Sequence, residues 1–326
     1  MGTFCAGCDG PSREVVVYVA LDREFSEPLL EEFRQRTGVK VLAKYDVEST
    51  KTVGLMQAIL QESRRPRCDL FWNNEILHTL RLEQEGLLEA YVPSVAHSFP
   101  SAYKSPTGCW TGFAARARVL LVNTELVALE EFPRSIVDLV DPKWKGKVGI
   151  AKPLFGTTAT HAAVLYSELG RESSVEFFKQ LQANAQVLSG NKQVAMAVAQ
   201  GQLAFGLTDT DDAIVEQDRG ALVEIVFPDQ GEGELGTLLI PNTLALIKNS
   251  RNSTAARSLI DFLLTPQSEA RLAAGDSGQF PLNSEVQERS RVQPDEPVQW
   301  MQADFAAAAA NWEEARRVLA EIFHGD

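Results

Sequence analysis

The sequence predicts an α/β fold of two lobes joined by crossing strands. Three observations carry this. Apolar β-branched runs alternate with helix-periodic segments in two separate stretches, the pattern of parallel strands with crossover helices. Two further apolar runs, Thr111 to Asn123 and Thr237 to Lys248, are longer than an ordinary strand and suit chain passing from one lobe to the other and back. The length of 326 residues also fits two domains, each with its own core.

The first stretch opens with "EVVVYVAL" (Glu14 to Leu21), a buried strand. "SEPLLEEFRQRTG" reads as a helix with Ser26 as N-cap, Pro28 in its first turn and Gly38 as its stop. "VKVLAKY" is a second strand and Thr50 to Ser63 a second helix, with Val53, Met56, Ile59 and Leu60 on one face. "CDLFW" (Cys68 to Trp72) is a third strand, followed by a helix from Glu75 to Gln84. The second stretch repeats the scheme. "KVGIAK" and "LAFGLT" are strands; "TTATHAAVLYSEL", "SSVEFFKQLQAN", "NKQVAMAVAQG" and "DDAIVEQDRG" are helices. Helices from Thr254 and Gln267 follow the return crossing, and an alanine-rich amphipathic helix ends the chain. The expected division is 14–115 with 242–285 as the first lobe and 116–241 as the second. Residues 286–326 form a helical segment packing on the second lobe or the hinge.

Composition excludes several roles. With 31 basic and 44 acidic side chains the formal charge is −13, unsuited to nucleic acid or an anionic membrane surface. No apolar run reaches the roughly 18 residues of a membrane span. "MGTFCAGCDG" reads either as the end of a lipoprotein leader, with Cys8 acylated after Ala6-Gly7, or as a disordered tail over residues 1–13. Membrane contact is expected only through such an anchor. Neither HExxH nor GxSxG occurs, and no nucleophile-base set is visible, so neither catalysis nor a cofactor is expected.

Ligands of open α/β sheets bind beyond the carboxyl ends of strands. Those ends carry Asp22, then Asn73-Asn74-Glu75, then "FGTT" (Phe155 to Thr158), then Asp209, Asp211 and Asp212 within "GLTDTDDA". Three aspartates after a buried strand repel one another. They sit in water, cap the next helix, or meet a positive group. Gly156, Thr157 and Thr158 open a helix whose amides suit an anion, or Thr157 is a plain cap. Arg116 and Arg118 lie two apart on a strand and share a face, where they hold an anion, pair with the aspartates, or form a surface pair.

The stretches "VVVYVALDREFSEPLLEEFRQRTGVKV", "CDLFWNNE", "TGFAARARVLLVN", "DPKWKGKVGIAKPLFGTT" and "GNKQVAMAVAQGQLAFGLTDTDDA" together resemble the iron(III)-type substrate-binding proteins of bacterial ABC transporters, from about Glu14 onward. The resemblance implies the type II periplasmic-binding fold, closure of two lobes on a ligand, delivery to a membrane permease, a periplasmic or cell-surface location and a monomer. It implies a metal site in which Asp22 stands at the family's histidine position, Asn74 or Glu75 at its glutamate, and Asp211 and Asp212 at its tyrosine pair. An accompanying anion would be held by Gly156, Thr157, Thr158, Asn191 and Arg116. Carboxylates in place of phenolates remain hard oxygen donors, suited to Fe(III) or another hard cation, with Asp22, Glu75, Asp211 and Asp212 as ligands. The same arrangement suits an amine-bearing acid such as an amino-phosphonate, its ammonium on the aspartates.

Overall fold

The computed structural model describes residues 14–46 and 53–323; the tail with Cys8 lies outside them. The first half comprises β1 (Glu14–Val19), α1 (Arg23–Thr37), β2 (Lys40–Tyr45), α2 (Val53–Gln61), β3 (Leu70–Asn73), α3 (Leu77–Gln84) and β4 (Leu88–Glu89). The chain then crosses in β5 (Trp110–Asn123). The second half follows as β6 (Val148–Ala151), α4 (Gly156–Leu169), α5 (Arg171–Asn184), β7 (Gln186–Leu188), α6 (Asn191–Ala199), β8 (Phe205–Asp209), α7 (Thr210–Asp218) and β9 (Val223–Val226). It returns in β10 (Leu239–Ile247) and ends with α8 (Ser253–Leu263), α9 (Pro266–Ala274) and α10 (Phe305–Phe323).

The strands run in the order β2-β1-β3-β10-β5-β8-β6-β7. Within each half the inner pairs are parallel: β1 with β2 and β3, and β6 with β7 and β8. The two halves therefore share one local order, 2-1-3 and 7-6-8. Antiparallel β5 and β10 join them, and every residue of both is buried. Burial on both faces explains why these runs are apolar without alternation. One large apolar cluster lies on each side of the sheet, taking alternate residues such as Tyr18 and Phe71 on one face and Val17, Leu70 and Trp72 on the other. Helix α10 packs against α4 and α5 of the second half and α3 of the first.

Local chemistry departs from expectation at α1. The helix begins at Arg23 after Asp22, and Ser26 lies inside it. The Ser26 hydroxyl donates to the Leu21 and Asp22 carbonyls instead of capping, which ties the end of β1 to the first turn. Gly38 does stop the helix, at φ 73°. Strands β4, β7 and β9 have two to four residues each, too short for a periodic signal. The last helices begin one residue before Thr254 and Gln267, at Ser253 and Pro266.

The crossing strand carries a strained point. Ala114 has φ 41°, beside an irregularity in the pairing with β10 at Ile240/Asn242. Glu269 of α9, fully buried, holds the strained point in place. Its carboxylate accepts from the Ala114 amide at 2.5 Å, from Leu282 at 3.1 Å and from Asn283 at 2.7 Å. Glu269→Ala leaves three buried amides without an acceptor and is expected to cost roughly 2–5 kcal/mol in urea unfolding. A loss below about 0.5 kcal/mol, the ordinary size for a surface change, would contradict this role.

Candidate functional site

With strand orders 2-1-3 and 7-6-8, the chain reverses direction across the sheet between β1 and β3, and again between β6 and β8. Such switch points leave a crevice beyond the strand ends. Asp22 and Asn73 to Glu75 follow β1 and β3 at the first; Gly156 to Thr158 and Asp209 to Asp212 follow β6 and β8 at the second. The two crevices face each other across β5 and β10.

Arg116 and Arg118 on β5 are both buried, at 2% and 0% exposure. A buried guanidinium needs a partner. Arg118 lies directly opposite Asp209 in the antiparallel register of β5 and β8, and its Nη1 donates to Asp209 Oδ1 at 2.6 Å. Asp209 Oδ2 accepts from Thr157 Oγ1 at 2.5 Å and Asn191 Nδ2 at 2.9 Å. Thr158 donates to Asn191 Oδ1 at 3.0 Å and accepts from Arg118 at 3.3 Å. Asp209 stands at the N-cap position of α7, yet its side chain makes no capping bond. The carboxylate answers a buried arginine instead.

Arg116 points to the other aspartates. Its Nη1 lies 3.1 Å from Asp211 Oδ2, and Nη2 donates to Asn242 at 3.3 Å. Burial works against its charged form, but Asp211, Asp209, Asp22 and Asp212 outweigh burial and raise the guanidinium above its ordinary range. One carboxylate oxygen from each of Asp209, Asp211 and Asp212 lies within 4.8 Å of the others. Asp22, Asp209, Asp211 and Asp212 outnumber Arg116, Arg118 and the nearby Lys152 by one charge, so the carboxylates keep a small excess despite the internal pairing.

Two of the residues expected here are used differently. Glu75 is fully buried, and its oxygens accept from the Leu77 amide at 2.6 Å, Asn73 at 2.8 Å, His78 at 2.8 Å and Thr160 at 2.6 Å. Burial would push its carboxyl up, but His78 and these hydrogen bonds overcome burial and hold it below the usual carboxylate range. It caps α3 and bridges to α4 of the other lobe. Asn74 is the residue of that strand end that lines the interlobe cavity, and its Oδ1 is buried without a partner. Arg116, expected among the anion-holding residues, sits with Asp211; register places Arg118 there instead.

The cavity is about 30 Å³ and is lined by Asn74 from one lobe and by Gly156, Thr157, Asn191 and Asp209 from the other. Gly156 has φ 56°, a conformation that glycine adopts without strain, and it starts α4 beside the cavity. Lys152 and Ser189 also line it and escaped the sequence reading. Lys152 directly follows "KVGIA", so a full inventory of strand ends would have found it. Outside the cavity, Lys192 of α6 meets Glu24 of α1 at 3.6 Å, an exposed ion pair across the cleft.

The pattern of the bacterial extracellular solute-binding proteins matches residues 75–309. The chain is 27% identical over 279 residues to iron uptake protein A1 of Synechocystis, covering 82% of this chain and 76% of that one. It is 25% identical over 271 residues to a putative 2-aminoethylphosphonate-binding periplasmic protein of Salmonella typhi, covering 81% and 76%. The apo ferric ion-binding protein A of Pasteurella haemolytica superposes with a TM-score of 0.84 over 97% of this chain and 99% of that one, at 21% identity. That likeness establishes the type II periplasmic-binding architecture.

His161 of α4 lies behind the site, fully buried, with neither ring nitrogen hydrogen-bonded. Burial first, then the nearby Arg118, pushes its pKa down to about 3. Unfolded, the ring takes a proton near pH 6.5; folded, it resists until about pH 3. Stability is therefore lost as pH falls through that window. Between pH 7 and 5 the wild type is expected to lose about 2 kcal/mol more than His161→Leu in urea unfolding. Parallel losses in the two proteins would show that His161 is not the cause.

Proposed function

The chain belongs to the bacterial extracellular solute-binding proteins, and we propose that it is the substrate-binding component of an importer that carries a hard metal cation of the ferric type between its lobes. The observation that supports this reading most is that Asp211 and Asp212 present oxygens within 4.8 Å of each other, beside an Asp209 already held by Arg118, Thr157 and Asn191, with a net excess of negative charge. Carboxylate and amide oxygens are the donors hard cations prefer. In this reading Asp211, Asp212 and Asp22 bind the cargo and the Asn74 carbonyl completes the shell. Glu75, its oxygens already engaged, supports the site from behind. The cargo enters between open lobes, and closure about β5 and β10 removes it from water. A permease receives it outside the cytoplasm; the chain works as a monomer, catalyses no turnover, needs no resident cofactor, and Cys8 would be its lipid anchor.

One observation favours a second cargo class. Arg116 already sits among these aspartates, so the cluster accommodates an organic cation. An amine-bearing acid such as an amino-phosphonate would place its ammonium there.

Calorimetric titration of the metal-stripped protein tests the reading. Asp211→Ala and Asp212→Ala are each expected to weaken cargo binding by roughly a hundredfold or more, about 2.7 kcal/mol. Wild-type affinity in both variants would remove these residues from the site. A second expectation concerns colour. Tyr18 donates to Glu62 and Tyr45 stacks under Arg23, and none of the five tyrosines lines the cavity. The iron-loaded protein should therefore lack the visible charge-transfer band of a phenolate ligand. A red protein would mean that a tyrosine enters the shell.

A further inference from the structure

The far end of the first lobe carries a cationic pocket that the cleft does not use. It lies where β1 and β3 begin and β10 ends, whereas the cleft lies at the opposite ends of the same strands. Arg65, Arg67 and Arg251 line it together with Glu14 and Asp69, around about 430 Å³ of space. Asp69 holds the pocket together. At 2% exposure, it accepts from the Val16 amide at 2.8 Å and from the Asn252 amide and side chain at 3.0 and 2.9 Å. One carboxylate thus joins β1, the start of β3 and the turn after β10. Arg67 stands two residues before Asp69 and Arg251 one before Asn252, and Pro66 stiffens the link from Arg67 to Arg65. The three arginines are exposed, and none forms an ion pair among the described residues. Lys40 lies opposite Glu14 in the register of β1 and β2. Over residues 14, 40, 62–69 and 248–252 there are six cationic and three acidic side chains, a local excess in a chain of formal charge −13. Charges beyond roughly 10 Å are largely screened at physiological salt, so this end acts by its own sign and not by the net charge.

We propose that Arg65, Arg67 and Arg251 bind the phosphoryl headgroup of an anionic phospholipid. Guanidinium forks match phosphate oxygens and stay charged at any working pH. The chain itself brings the pocket to a bilayer. Cys8, read above as the lipid anchor, stands six residues before Glu14, and six residues reach at most about 22 Å. A chain tethered there holds its arginine end against the lipid and its cleft away from it. The inference rests on the anchor reading and is independent of the cargo.

The test uses the full chain with Cys8 unacylated, sedimented with phosphatidylcholine vesicles that lack or contain roughly one-third phosphatidylglycerol. The wild type should pellet with the anionic vesicles and stay in solution with the neutral ones. Arg65→Gln and Arg251→Gln should each weaken that binding about fivefold. Arg317→Gln on α10 makes the same charge change at an exposed site elsewhere and should leave binding unchanged. All three variants should melt like the wild type. Equal losses in the three variants, equal binding to both kinds of vesicle, or no binding to either would overturn the proposal. So would a melting rise with inorganic phosphate, lost in Arg65→Gln, in a protein that ignores vesicles, since the pocket would then take a free phosphate. Mass spectrometry of protein recovered from its host decides the anchor separately. An unmodified Cys8 would defeat that reading alone, and the vesicle result still decides the arginines.

Discussion

Two buried guanidiniums on one crossing strand set the terms for everything around them. Arg118 cannot remain in the interior without a carboxylate, and the register of β5 against β8 delivers Asp209 to it at 2.6 Å. That pair gathers Thr157 from the start of α4 and Asn191 from the start of α6. Three elements of the second lobe, β8, α4 and α6, are thus fixed to the strand that also runs through the first. The approach is close enough that Gly206 of β8 has no room for a side chain: a Cβ there would lie 2.5 Å from Val194 of α6 and 2.9 Å from the Gly149 carbonyl of β6.

The same strand serves the cleft through Arg116. Placed two residues along, it shares a face with Arg118 but answers a different group of aspartates. The site is therefore neither a bare acidic cluster nor a neutral one. Its internal pairs remove part of the repulsion that three clustered aspartates would otherwise suffer, while leaving an excess that a cation can neutralise. On the far side Glu269 holds the strained Ala114 segment of β5, and Glu75 reaches across to Thr160. Both are buried carboxylates; Glu269 holds backbone donors along the crossing strand, and Glu75 holds a hydroxyl from the other lobe.

Much of this was legible in the sequence. The strand-helix order, the long crossings, Gly38 as a helix stop and the strand ends carrying Asp22, Asn74, Gly156 and Asp209 to Asp212 follow from periodicity and turn chemistry. The spacing of Arg116 and Arg118 predicted a shared face. Which carboxylate each arginine takes depends on strand register across 91 residues, which no local pattern encodes. For the same reason the sequence left the aspartates open between water, a cap and a positive partner, and it could not show that Glu75, a ligand candidate, takes a hydrogen bond from Thr160 of the other lobe. Ser26 looked like an N-cap because serine before an apolar run usually is one, yet here Asp22 already starts the helix.

The most direct test of the cleft's role is the melting temperature of metal-stripped protein against Fe(III), Fe(II), Mn(II), Ca(II), Zn(II) and amine-bearing phosphonates. A ligand that binds only the folded chain raises its melting point. A rise with a hard cation, reversed by chelator, is the result this account requires. Silence with every metal and a rise with an amine-bearing acid would contradict it, and would make Asp211 and Asp212 an ammonium clamp.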